Sequence, residues 1–325
     1  MTVNSRAAKR AARKDKFKYA FELDEQQIGM KLEHYFGLLE SGLDETFELE
    51  SSIEANTGAD YEYQGIQARY YLQAKAPIAL LSPITVPIAS GKEGDGLNAI
   101  RAFRRDNSLA DDPYSLCFGL RKPAKHAKVP DELQHNLLYA MNAPDKNSHA
   151  MYVAPTTYSK QEYLRLLRDR THWSQLHDGP FWRFRNNRAR LEIPTQLASD
   201  ILINIPFLQA HICITPHDKV TTHDHHYSYS IHANDVAFHS PTLLEGISWN
   251  LSDFLASQAR QIDRLETQST KSVLDELMGV LPDSVLRELG VTSQQPPLFT
   301  IRQIGRVLRN QYGIIQYLVT KRQGD

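Results

Sequence analysis

TGADYEYQGIQARYYLQAK, residues 57–75, is the segment on which the reading of the fold turns. It opens near an acid, Asp60, closes on Gln73-Ala74-Lys75, and is punctuated by Gln64-Gly65. Tyr61 and Tyr63 before that break, and Arg69 to Leu72 after it, are strand candidates. A hairpin centred near Ile66 and Gln67 sets Asp60 opposite Gln73. Side chains alternate along a strand, so Gln73 and Lys75 share one face two residues apart. The three groups then converge on one point. The inference depends on register, because a one-residue slip sends one strand's groups to the other face.

Groups of this kind suit metal-assisted hydrolysis of a phosphodiester. A carboxylate and an amide oxygen are hard ligands for magnesium, which usually keeps several waters. The ion polarises the phosphate and acidifies an attacking water. A nearby lysine stabilises the negative charge that builds in the transition state. The Ala74 carbonyl is a further candidate ligand.

Working outward, DEQQIGMKLEHYFGLLESGLD (residues 24–44) is an amphipathic helix, with Ile28, Leu32, Tyr35, Phe36 and Leu39 at helical spacing. TFELESSIE (46–54) alternates as a half-buried strand. Residues 77–130 are rich in Pro, Gly and charge and read as an insertion with one strand, PYSLCFGL (113–120). A second helix, DELQHNLLYAMN (131–142), and a buried strand, AMYVAP (150–155), follow. Residues 24–154 thus give helix, three strands, helix, strand.

These motifs and this element order resemble the PD-(D/E)xK, or restriction-endonuclease-like, nuclease superfamily. The matching residues are EANTGAD (Glu54 to Asp60), LQAK (Leu72 to Lys75) and the helix opening with Gln134. The resemblance implies an α/β (α+β) chain with an αβββαβ core and a mixed sheet. It also implies magnesium or manganese as cofactor and cleavage of nucleic acid, chiefly double-stranded DNA. Some bacterial branches act in restriction or phage defence, with a companion defence protein or a second copy of the chain as further partners. Carried over by position, Asp60 is the metal-binding acid and Lys75 the catalytic lysine. Gln73 stands where the family usually has a second acid, which removes one negative charge. Glu54 and Glu33 are the candidates to replace it, and Gln134 matches a downstream helical glutamine. On this reading residues 1–20 are a basic, disordered arm, 21–245 the nuclease-like domain and 246–325 a mainly helical C-terminal region.

Composition is that of a folded chain. Hydrophobic residues make up 41% and charged ones 23%, enough for a sizeable core and too apolar for wholesale disorder. Residues 1–20 hold seven basic residues against one acid; removing them from totals of 37 and 38 leaves 30 basic against 37 acidic. A basic arm on an acidic body suits contact with phosphates. Cys117 and Cys213 match no metal or redox spacing, so the expected home is a reducing cytoplasm. The most apolar stretch, APIALLSPITVPIA (76–89), is short and carries three prolines, which argues against a membrane span.

Two further clusters attract attention. PHDKVTTHDHHYSYSIHANDVAFHSP (216–241) concentrates six histidines, of which His225 and His226 are candidate site residues near a strand end. Its His223-Asp224-His225-His226 run fails to match the metallo-β-lactamase H-x-H-x-D-H pattern, because Tyr227 stands where an Asp belongs; a histidine-based metal hydrolase stays a rival reading because histidine is the commonest transition-metal ligand. Arg183, Arg185 and Arg188, and separately Arg302, Arg306 and Arg309 on one helix face, are candidate phosphate contacts. The other rival, favoured by Gln73, is a nuclease-like fold that binds or senses nucleic acid without cutting it.

Overall fold

The computed structural model describes residues 18–43, 63–81, 96–110, 114–122, 133–169, 199–200, 202–233, 235–246, 248–261, 264–289 and 295–322. The expected strand at 46–54, the acids Glu54 and Asp60, the arginines Arg183, Arg185 and Arg188, and the first seventeen residues of the arm lie outside them.

The described chain is α+β and is organised around a mixed five-stranded sheet. Its centre is β2 (Tyr63–Ala74), parallel to β5 (Ser148–Pro155) on one side and antiparallel to β11 (Ile315–Arg322) on the other. β6 (His211–Ile214) and β10 (Ser248–Asn250) extend the β5 side. β2 is buried on both faces, which is why its sequence reads as a dense aromatic run rather than a clean alternation.

The hairpin expected at Ile66 and Gln67 is not formed. Residues 63–74 run as one strand, and the local irregularity takes another shape. Consecutive residues Val319 and Thr320 of β11 pair with Ala68 and Ile66, leaving Gln67 as the extra residue of a β-bulge. A second break leaves Gln64 between Gly65 and Tyr63. A bulge shifts which side chains meet which face. Ile66 accordingly packs in one core with Tyr71, while Ala68 packs in the other with Tyr70. Gly65 serves close approach rather than a turn: a Cβ there would collide with the carbonyl oxygen of Gln268. At that point Ile66 and Gln268 exchange two backbone hydrogen bonds of 2.9 Å. Ten residues of strand at about 3.3 Å each put Tyr63 roughly 30 Å from Gln73. The geometric reason for setting Asp60 opposite Gln73 therefore falls.

One face of the central sheet is covered by α1 (Glu25–Leu43), whose Ile28, Leu32, Tyr35 and Phe36 pack with Ala68, Tyr70, Leu72 and Ala74. α2 (Gly96–Asp106) belongs with the second sheet described next. The other face, carrying Tyr71 and Tyr152, meets α3 (Gln134–Met141) and that second sheet. The second sheet is antiparallel and six-stranded, in the order β1 (Lys18–Ala20), β3 (Ile78–Leu81), β4 (Tyr114–Gly119), β7 (His226–Ser230), β8 (Ala237–Phe238) and β9 (Thr242–Leu243).

This second sheet corrects two boundaries. Residues 77–130, expected as an insertion, supply α2 and two of its six strands, β3 and β4. The arm of residues 1–20 ends in a strand, since Lys18–Ala20 pairs with Ile78–Leu80. The C-terminal region follows α4 (Lys160–Arg168) and α5 (Pro206–Gln209). It comprises α6 (Leu251–Gln261), α7 (Thr270–Val280), α8 (Asp283–Leu289) and α9 (Pro297–Val307). It is not an appendage, however, because β10 and β11 are strands of the central sheet. Cys117 and Cys213 are buried free thiols, and no described helix is long and apolar enough to cross a membrane.

Candidate functional site

The regular alternation of β2 after its bulge places Arg69, Tyr71 and Gln73 on the face toward the second sheet. Lys75 continues that order just beyond the strand, with its backbone N–H donating to Val153 at 2.9 Å. The crossover to the parallel neighbour β5 passes through α3, and this brings Gln134 to the same end of the sheet. Gln134 Nε2 donates to Gln73 Oε1 and to the Tyr312 carbonyl. Gln73 Nε2 in turn donates to the Ala74 carbonyl at 3.1 Å. The fold thus joins Gln73, Lys75 and Gln134, three residues named from sequence, and the Ala74 carbonyl is occupied by the amide beside it.

The carboxylate that reaches this end is Glu25, at the start of α1. Its Oε1 lies 3.1 Å from Lys75 Nζ. Lys75 Nζ also stands over the Tyr152 ring, 5.6 Å from its centre. Burial pushes the Lys75 ammonium toward the neutral form; Glu25 opposes this, and the positive charge of Arg121 adds to it. Beneath the lysine, Tyr152 Oη is 2.9 Å from His135 Nδ1, and His135 Nε2 is 2.6 Å from the Asp218 carbonyl. A carbonyl only accepts, so Nε2 carries the proton and Nδ1 accepts from the tyrosine hydroxyl. Burial, chiefly, and the charges of His225 and Lys75 bring His135 down to about 4, which agrees with this neutral tautomer.

The remaining expected residues divide. Glu33 is eight residues, or about 12 Å along α1, from Glu25. It makes a two-pronged ion pair with Arg309, at 2.6 and 2.8 Å, and does not join Lys75. That pair also commits Arg309, which was expected to meet phosphate. Arg302 and Arg306 are half-buried and have partners. His225 stacks on Phe238 and contacts Ser240 Oγ at 2.9 Å, while His226 opens β7 beside Gly119. His239 is bound to Ser228 at 2.8 Å. Among the described residues no three His, Cys, Asp or Glu side chains are grouped to hold an ion, so the histidines do not converge on a zinc-type site.

The donors at the β2 end are oxygens, the type that magnesium and manganese take. Gln134 Oε1 is a buried acceptor without a hydrogen-bond partner, while Gln73 Oε1 and the Tyr312 carbonyl both accept from Nε2 of the same amide. Glu25 adds one carboxylate. These are oxygens of the type a hard divalent cation takes, with one carboxylate among them, so the set is poor in negative charge. Sequence reasoning missed Glu25, Tyr152, His135 and Arg121. An acid in the first turn of a helix is common on dipole grounds, and nothing local in the sequence distinguishes Glu25 from such a residue. No family model, curated protein or solved structure matches the chain.

Proposed function

We propose that the chain is a metal-dependent nuclease that hydrolyses DNA phosphodiester bonds at the carboxyl end of β2. The observation that carries this reading is the hydrogen bond from Gln134 to Gln73. It joins, across sixty-one positions, two motif residues recognised separately in the sequence. Support also comes from the strand–helix–parallel strand arrangement of β2, α3 and β5, which is the arrangement expected of a restriction-endonuclease-like core. A role in restriction or phage defence follows by analogy with that superfamily.

In this reading Gln73, Gln134 and Glu25 hold magnesium or manganese. The ion, when bound, supplies Lewis acidity toward a phosphate oxygen and lowers the pKa of a bound water. Lys75 places positive charge where the phosphoryl oxygens gather negative charge. Tyr152 fixes the lysine from below, and His135 fixes Tyr152. Asp60 and Glu54 keep the roles the resemblance implies only if they reach this end by a route other than the hairpin.

The second reading, a nuclease-like module that binds without cutting, is favoured by two features. Gln73 takes the place of an acid, and Lys75 is closed off behind Glu25. One experiment separates the two. Purified chain is incubated with supercoiled and linear DNA in magnesium or manganese, beside Lys75→Met and Glu25→Gln. The nuclease reading expects cleavage that falls by about a hundredfold or more in Lys75→Met. DNA binding with no cleavage by the wild type in either metal would establish the silent module instead.

A further inference from the structure

Arg121 is a cation at the β2 end that the roles above do not use. It follows β4 by two residues, is exposed, and makes no ion pair or hydrogen bond among the described residues. Its position is set by Gly313, which closes the π-helical turn Leu308–Tyr312 in the left-handed conformation, φ 63°. A Cβ on Gly313 would stand 2.7 Å from Arg121 Nη1, and 3.7 and 3.8 Å from the amide nitrogen and oxygen of Gln73. The guanidinium therefore lies against bare backbone, beside the amide that the nuclease reading gives to the metal.

Among the described residues the charges at this end are unbalanced: the Lys75 ammonium is offset by Glu25, whereas Arg121 has that ammonium and the Gln73 amide near it. A guanidinium in that setting has its planar fork of donors available, and two oxygens of one phosphate match that fork. We propose that Arg121 is the substrate anchor of this site, binding a backbone phosphate of DNA next to the bond that is cut. Gly313 leaves the room that the guanidinium occupies. The assignment rests on the nuclease reading and adds a substrate contact that reading does not contain.

The test uses the full chain and a short fluorescein-labelled DNA duplex, with calcium replacing magnesium so that the duplex stays intact. Binding is followed by anisotropy across a sodium chloride series for the wild type, Arg121→Ala and Arg121→Lys. One lost phosphate contact lowers the slope of log affinity against log salt by about 0.9 and weakens binding at every salt. Arg121→Ala is expected to show both changes, with an unchanged thermal midpoint because the side chain is exposed. Arg121→Lys is expected to keep the slope and lose part of the affinity. If the wild type binds and Arg121→Ala matches it in slope and affinity, the anchor is wrong while the nuclease reading stands. If the wild type fails to bind the duplex at any salt, both fall.

Discussion

β2 and the residue that follows it bury two cations on one face, six residues apart, and they are held in different ways. Arg69 is 2% exposed and meets Glu276 of α7 at 2.7 Å, with a second bond to the Lys146 carbonyl at 3.2 Å. Lys75 is 0% exposed and meets one anion, Glu25, whose side chain is 40% exposed. Arg69 thus ties the middle of β2 to a helix by two protein acceptors. Lys75 has one partner at the protein surface, an aromatic ring beneath it and a second cation nearby. An arginine stays charged wherever it is buried, while a lysine responds to its surroundings. The same strand therefore carries a structural cation in its middle and a tunable one at its end.

The largest stability effect is expected at the structural cation. Glu276→Ala leaves Arg69 buried without its anion, and breaking a buried pair in this way costs about 3 kcal/mol. Urea denaturation reads that loss; a shift under about 1 kcal/mol would mean the pair is no staple. Glu25→Gln removes the corresponding partner of Lys75. Because Glu25 is substantially exposed, its pair is screened, and the expected loss is about 1 kcal/mol. The sharper effect should fall on cleavage rather than on the urea midpoint.

Alkaline titration separates the two cations by sign. The Lys75 pKa in the folded chain lies below its ordinary 10.5. Between the folded value and 10.5 the unfolded chain binds the extra proton, so the Lys75 contribution to stability rises with pH through that window. It is fully present above 10.5 and lost as pH falls through the folded value. The stability difference between wild type and Lys75→Met should therefore move in favour of the wild type as pH rises. No such drift should separate the wild type from Arg69→Met.

Part of this contrast was legible in sequence. Strand alternation put Gln73 and Lys75 on one face, the opening of α3 put Gln134 at a helix start, and GIIQYLVTKR was strand-like and became β11. The bulge at Gln67 was not legible. Gln64-Gly65 carries turn chemistry, and only the approach of Gln268, two hundred residues later, reveals that Gly65 accommodates a backbone contact instead. Residues 77–130 were misread because Pro and Gly mark both loops and the ends of short strands. Glu25 and Arg121 reach the site by tertiary packing, so no local spacing pointed to them.

The central claim is that Lys75 acts in chemistry and Arg69 in structure. The most direct test is DNA cleavage per folded molecule in magnesium or manganese, measured beside urea stability, for Lys75→Met and Glu276→Ala. Lys75→Met should lose about a hundredfold or more in cleavage with little change in stability. Glu276→Ala should lose stability while each folded molecule cuts at the wild-type rate. Wild-type cleavage by Lys75→Met, or parallel loss of both properties in both variants, would contradict the account.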